Sequence, residues 1–111
     1  MNDIKSVWRG DLPRYPEQDL NRISEAAAPA LGDVCRYFYL YRYLHRAATP
    51  GATLTGDYCF ARFSESLSEL DSVELTDAFA GYLREDAVIG KPLDSFRDFI
   101  RELPAVTGHG T

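Results

Sequence analysis

Hydrophobic side chains recur every three to four residues along most of the chain, and this spacing predicts helices rather than strands. Residues 36–46 are unusually aromatic, but Tyr37 and Tyr41, like Leu40 and Leu44, are four residues apart. We therefore expect a helix from about residue 33 to residue 48, with Asp33 as its N-cap. No segment favours a strand, so the pattern predicts an all-α single domain of four to five antiparallel helices.

Prolines and glycines set the boundaries of the first half of the chain. Pro16, followed by acidic residues, begins a short first helix that Pro29 ends or interrupts. Residues 49–53 have the composition of a tight turn. This turn leads into a helix that runs from about Thr55 or Asp57 to residue 70, and the short connection predicts an antiparallel pair with helix 33–48. The expected buried side of the helix that ends at residue 70 carries Cys59, Phe60, Phe63, Leu67 and Leu70.

Two further helices follow in the second half. Asp71 and Ser72 cap a helix that Gly90 ends, while Ser95 and Asp98 resemble a capping box for a last helix. Asp86 falls on the apolar side of the helix that Gly90 ends, where it is expected to reach solvent or pair with an arginine. The expected inward residues of these helices are Leu75, Phe79, Tyr82, Leu83, Phe96, Phe99, Ile100 and Leu103.

The domain boundaries follow from these elements. Residues 1–16 are expected to form an irregular lead segment, residues 17–103 the helical domain, and residues 104–111 a flexible tail. Trp8 is the exception in the lead segment, because so large an apolar side chain is expected to dock on the body or on a partner.

Composition narrows the function classes. The net charge is −5 and no dense Lys/Arg cluster lies outside helix 33–48, which argues against a nucleic-acid binder. A chain of 111 residues buries only a modest core, so a surface site or a shared site is favoured over a deep active site. No apolar run approaches the roughly 20 residues of a membrane span, and the first residues lack a signal-peptide core. We expect a cytoplasmic protein.

Candidate catalytic chemistry is sparse. Cys35 and Cys59 are expected to be free, buried thiols, and neither lies at metal-ligand spacing from His45 or His109. We therefore expect no metal site and no cofactor on this chain. A small enzyme that uses Cys59 or His45 is the least favoured hypothesis.

One side of helix 33–48 is enriched in arginine and tyrosine. Both residue types are frequent in interface hot spots, and arginine suits carboxylates and phosphates. This surface, called the Arg/Tyr face below, is a candidate for binding a partner or a ligand. Alternatively, its tyrosines pack under neighbouring helices and the lead segment. The face comprises Arg36, Tyr39, Arg42, Tyr43 and Arg46.

The segment Thr53-Leu54-Thr55-Gly56-Asp57-Tyr58-Cys59-Phe60-Ala61-Arg62 resembles the Gly-Asp-Tyr segment of trans-polyprenyl diphosphate synthases, which are all-helical enzymes that elongate isoprenoid diphosphates. The resemblance covers roughly residues 31–91 and implies part of the helical bundle of those enzymes. Its motif residues are Gly56, Asp57, Tyr58 and Arg62.

The sequence departs from the catalytic members of that family. In those members an aspartate-rich Mg²⁺-binding motif and a pair of arginines precede Gly-Asp-Tyr, whereas this chain has no adjacent aspartates anywhere. Without clustered carboxylates, the Mg²⁺ ions that a diphosphate leaving group requires have no ligands. The chain is therefore expected not to be an enzyme on its own, with Mg²⁺ only on a catalytic partner.

The chain is more similar to the small non-catalytic component of heterodimeric long-chain synthases, such as the heptaprenyl type, although it is shorter. The resemblance implies a subunit that binds the catalytic large subunit and helps to set product chain length. Prenyl diphosphate or the product chain is a candidate ligand at the shared interface, and the expected contacts lie around residues 39–43 and 60–70. The alternative is an unrelated helical adaptor or ligand-binding module whose Arg/Tyr face binds an anionic ligand or peptide.

Overall fold

The computed structural model describes residues 8, 10–89 and 93–103, and the side chains of residues 8, 10–84 and 96–103. Across these residues the fold contains helices and no strands, which confirms the all-α prediction. A single 3₁₀ turn, Pro29–Leu31, precedes the second helix. The α-helices are α1 (Glu17–Ala26), α2 (Gly32–Ala47), α3 (Pro50–Leu70), α4 (Val73–Ile89) and α5 (Leu93–Arg101).

Helices α2 and α3 form an antiparallel hairpin that is the main packing unit of the fold. The ring centroids of Phe38 and Phe63 are 5.0 Å apart, and the His45 Nε2 atom lies 2.9 Å from the Asp57 Oδ1 atom. Residue numbers thus rise along α2 as they fall along α3. The antiparallel pair expected from the short connection is confirmed.

The start of α3 corrects the sequence prediction. The expected turn at residues 49–53 is wrong, because α3 already begins at Pro50. Thr49 is the N-cap, and its hydroxyl oxygen accepts a hydrogen bond of 3.2 Å from the Ala52 backbone N–H. A threonine cap followed by proline at the first helical position is also a favoured helix start. The composition of a turn and that of a helix N-terminus overlap here.

The other helix starts agree only in part. The Ser72 cap is confirmed, since its hydroxyl oxygen accepts a 3.2 Å hydrogen bond from the Leu75 N–H. Asp33 is not an N-cap, because the 3₁₀ turn leads directly into α2 at Gly32 and the Asp33 carboxylate pairs with Arg36 instead. The predicted cap at Ser95 is also wrong, because α5 begins two residues earlier, at Leu93, so that Ser95 lies inside its first turn.

Aromatic side chains from four helices form one cluster within the core. Phe38 is only 1% exposed and lies at the centre of this aromatic cluster. Rings from α3, α4 and α5 surround it at centroid distances of 5.0 to 6.0 Å. The expected inward faces of α4 and α5 are buried or half-buried, while the side chain of Asp86 and the tail at 104–111 lie outside the described residues. The surrounding rings are Phe63, Phe79, Tyr82 and Phe96.

The described part of the lead segment lies on the helical body. Trp8 is half-buried, and its indole N–H donates a 2.6 Å hydrogen bond to the Pro13 carbonyl oxygen. Its ring meets the Tyr15 ring edge-on at 5.1 Å, and both side chains pack against the core. Trp8 therefore docks on its own chain.

Candidate protein-binding surface on helix α3

The tyrosines of the Arg/Tyr face lie against the chain's own first helix and lead segment. The Tyr39 hydroxyl donates a 2.7 Å hydrogen bond to the Asp19 carboxylate, and the Tyr43 hydroxyl donates one of 2.5 Å to the Arg14 carbonyl oxygen. The two rings are stacked at 5.9 Å. Burial, together with the hydrogen bond to Asp19, raises the pKa of Tyr39. Both hydroxyls thus have partners inside the molecule.

The arginines of the Arg/Tyr face also make contacts within the chain. Arg36 donates a 3.0 Å hydrogen bond to the Ser24 hydroxyl oxygen of α1 and forms an ion pair with Asp33. The Arg42 guanidinium lies 5.6 Å from the centroid of the Tyr41 ring. Arg46 is exposed. These contacts fit the interpretation in which the face packs under α1 and the lead segment, and its role in partner binding stays a prediction.

The first two residues of the Gly-Asp-Tyr motif hold α2 and α3 together. Gly56 is buried against α2, and a Cβ atom there would lie 2.4 Å from the His45 ring and 3.3 Å from the Leu44 Cβ atom. The next residue, Asp57, reaches across to His45. Glycine therefore permits the close packing of the two helices here, and the Asp57–His45 contact bridges the same crossing.

Replacing Gly56 with leucine should destabilise the chain by about 1–3 kcal/mol, because the added side chain overpacks the crossing and displaces His45 from Asp57. The loss should appear even though leucine favours a helix by up to about 1 kcal/mol over glycine. Urea unfolding followed by circular dichroism measures it. The control is Ala61→Leu, at an exposed position on the same helix, which should leave stability nearly unchanged. A Gly56→Leu chain as stable as the parent would contradict this account of the motif.

The third motif residue points the other way. Tyr58 is 52% exposed, and Leu54, one turn earlier on α3, is 72% exposed. Ala61, one turn later, is exposed as well. Side chains at positions 54, 58 and 61 share one helix face, opposite the buried side of α3. We call Leu54, Tyr58 and Ala61 the α3 stripe.

Arg62 borders the α3 stripe. Its guanidinium lies 5.6 Å from the Tyr37 ring centroid and donates a 2.7 Å hydrogen bond to the Glu65 carboxylate. Burial raises the pKa of Tyr37, while its hydrogen bond with Arg62 acts in the opposite direction. Arg62 is thus held in place by two neighbours and keeps an exposed edge.

Phe60 corrects the predicted face of α3. The sequence predicts it on the buried side, but it is 38% exposed, and its ring packs at a tilted angle against Tyr41, with ring centroids 4.7 Å apart. Around Phe60, α3 packs mainly against α2, so a side chain at the edge of this contact stays partly exposed to solvent. The motif residues therefore divide between a pair at the α2–α3 crossing, Gly56 and Asp57, and an outward pair, Tyr58 and Arg62.

The cysteines are poorly suited to catalysis. Cys35 and Cys59 are fully buried free thiols, and burial raises the pKa of each to about 12. The thiolate is the reactive form, so a raised pKa lowers reactivity near neutral pH. His45 interacts with Asp57, not with either thiol, among the contacts described. The part of the chain that the structure describes contains no group of three His, Cys, Asp or Glu side chains able to hold a metal ion.

Both thiols should react with a thiol reagent at pH 8 only when the chain unfolds. Rapid labelling of the native chain would contradict this expectation.

The raised pKa of both thiols also predicts how the stability of the chain changes with pH. Between pH 9 and about 12 the unfolded chain loses its thiol protons while the folded chain retains them, so stability should fall as pH rises through this range. Tyr37 and Tyr39, whose pKa is also raised, act in the same direction. Urea unfolding midpoints measured from pH 7 to 11 test the trend, and a midpoint that stays constant between pH 9 and 11 would contradict it.

No helix in the described residues is long and apolar enough to cross a membrane. Comparisons with protein-family models, curated proteins and solved structures found no match to this chain.

Proposed function

We propose that the chain is a non-catalytic helical subunit that binds the catalytic subunit of a polyprenyl diphosphate synthase and helps to set product length. The observation that carries this proposal is the exposure of Leu54 and Tyr58 on α3, inside the segment that resembles the family. Two large apolar side chains on one exposed helix face are typical of a surface that a partner covers. In this proposal the catalytic subunit supplies the Mg²⁺ and the chemistry.

The different positions of the four motif residues also support a partner-binding surface on the exposed face of α3. Gly56 and Asp57 serve the α2–α3 crossing, which leaves Tyr58 and Arg62 for contact with a partner. Tyrosine and arginine are enriched among the residues that dominate interface energetics. The contact surface in this proposal therefore lies on α3. It includes Arg62, inside the expected range 60–70, and extends to Leu54 and Tyr58 just before that range.

The Arg/Tyr face is a weaker candidate surface. The hydroxyls of Tyr39 and Tyr43 already donate to groups of the chain itself, and a partner would have to displace α1 or the lead segment to reach them. The adaptor alternative depends on that face binding an anionic ligand or peptide. A thermal shift of the isolated chain with inorganic phosphate, but none specific to isoprenoid diphosphates, would favour it, because a ligand that binds the native state alone raises stability.

The proposed function is tested with a full-length synthase subunit encoded near the gene for this chain. The two proteins should co-purify and elute together in size-exclusion chromatography. Adding the chain should change the rate of prenyl elongation or the length of the product. If elongation is the same with and without the chain, and the proteins elute separately, the proposal is wrong.

A further inference from the structure

The charged residues of α3 give its outward face an acidic border. The helix carries three acidic residues, Asp57, Glu65 and Glu69, and a single basic residue, Arg62. Asp57 contacts His45, so Glu65 and Glu69 are the acidic residues that remain on the outward face. All four are exposed. Arg62 pairs with Glu65 at 2.7 Å, so the positive charge beside the α3 stripe is already offset. The border is therefore net acidic, as is the whole chain at −5.

We infer that the α3 stripe binds an apolar surface bordered by lysine or arginine side chains on the partner protein. This inference rests on the site named in the proposed function and adds the chemistry of the surface that covers it. Leu54 and Tyr58 supply the apolar contact at a spacing of four residues, which is the spacing of helix anchors in a groove. Glu65 and Glu69 continue the same helix face beyond the α3 stripe, at the edge of the contact, where opposite charge speeds and orients association.

Charge complementarity selects this partner over a second copy of the chain. In a two-fold contact each stripe meets its own copy, so two acidic borders would face each other. Like charges across an interface are unfavourable, and no compensating basic residue of α3 is available beyond Arg62. The same repulsion disfavours an anionic membrane surface.

Two model peptides test the inference without a natural partner. Both are amphipathic helices with leucine on one side, and they carry lysine or glutamate at the border positions. Titrated into the isotope-labelled full chain, the Leu/Lys peptide should shift the backbone amide resonances of residues 54–69. It should bind at least about tenfold more tightly than the Leu/Glu peptide in low salt, and the difference should shrink in high salt. Equal binding of the two peptides, no binding, or shifts confined to other helices would overturn the inference.

Two matched pairs of variants locate the effect. Glu69→Lys should weaken binding of the Leu/Lys peptide several-fold, whereas Glu25→Lys, an exposed residue of α1, should not. Leu54→Asp should abolish binding, whereas Val73→Asp should not, although Val73 is equally exposed at 73%. Circular dichroism of each variant checks that it is folded. If Glu25→Lys weakens binding as much as Glu69→Lys, general charge attraction accounts for the result and the inference fails.

The same variants separate this inference from the proposed function. If the chain binds the Leu/Lys peptide at α3 but not the synthase subunit, the partner assignment is wrong and the surface chemistry stands. If the synthase subunit binds and Leu54→Asp prevents it, yet Glu69→Lys and added salt have no effect, the proposed function stands and the basic border is wrong.

Discussion

Replacing Phe38 with alanine should lower the free energy of unfolding by about 3–5 kcal/mol, the range for removing a buried aromatic side chain. Phe38 is 1% exposed, and four rings from three other helices lie within 6.0 Å of its centroid. No single neighbouring helix can move to fill the space without disturbing its contacts with the others. A small domain has a total stability of only about 5–15 kcal/mol, so the variant should be close to unfolded at 37 °C.

Phe60→Ala is the matched control for Phe38→Ala. It removes the same side chain from the same helical hairpin, but Phe60 is 38% exposed and packs at the edge of the α2–α3 contact. We expect a loss of about 1 kcal/mol, since less apolar surface returns to water. Urea unfolding of the two variants gives the comparison. Similar losses would mean that the aromatic cluster is not centred on Phe38.

Replacing Leu54 with aspartate should reduce affinity for the catalytic synthase subunit by at least about 30-fold, or roughly 2 kcal/mol, the size of an interface hot spot. The carboxylate would be desolvated against an apolar surface in the complex. In the free chain Leu54 is 72% exposed, so stability should change by no more than about 0.5 kcal/mol.

Val73→Asp is the matched control for Leu54→Asp. Val73 is 73% exposed and lies at the start of α4, away from the α3 stripe. The substitution introduces the same charge at an equally exposed apolar position, and it should leave affinity unchanged. Isothermal titration with the catalytic subunit measures both variants. Equal loss in the two variants would remove the α3 stripe from the interface.

The helical pattern was readable from the sequence because the spacing of apolar residues directly reflects the buried side of each helix. The predicted helix boundaries are less accurate where the same residue types are common both in turns and at helix starts. Thr49 and Pro50 are common both in turns and at helix starts, and only the hydrogen bond from the Ala52 N–H distinguishes them. Ser95 resembled a cap in the same way, yet it lies inside α5.

The candidate surface was harder to predict than the fold. The Arg/Tyr face was identified from residue types, but residue types do not reveal which other segment of the chain covers a helix face. Asp19 and Arg14 are 20 and 29 residues from the tyrosines they meet, so these contacts are set by tertiary packing. The exposure of Leu54 did have a local signal, because it lies opposite Gly56 and Cys59 on the helix. The cytoplasmic location and the partner's identity stay predictions.

The most direct test of the central claim is site-specific photo-cross-linking at position 58. Tyr58 is replaced with a photoreactive phenylalanine analogue, which retains an aromatic ring at an exposed position, and the full chain is irradiated with the catalytic subunit. A second chain carries the analogue at Val73 as the control. The account predicts a covalent product with the catalytic subunit from position 58 and none from position 73. A product from position 73 alone, or none from position 58 under conditions where the two proteins co-purify, would contradict it.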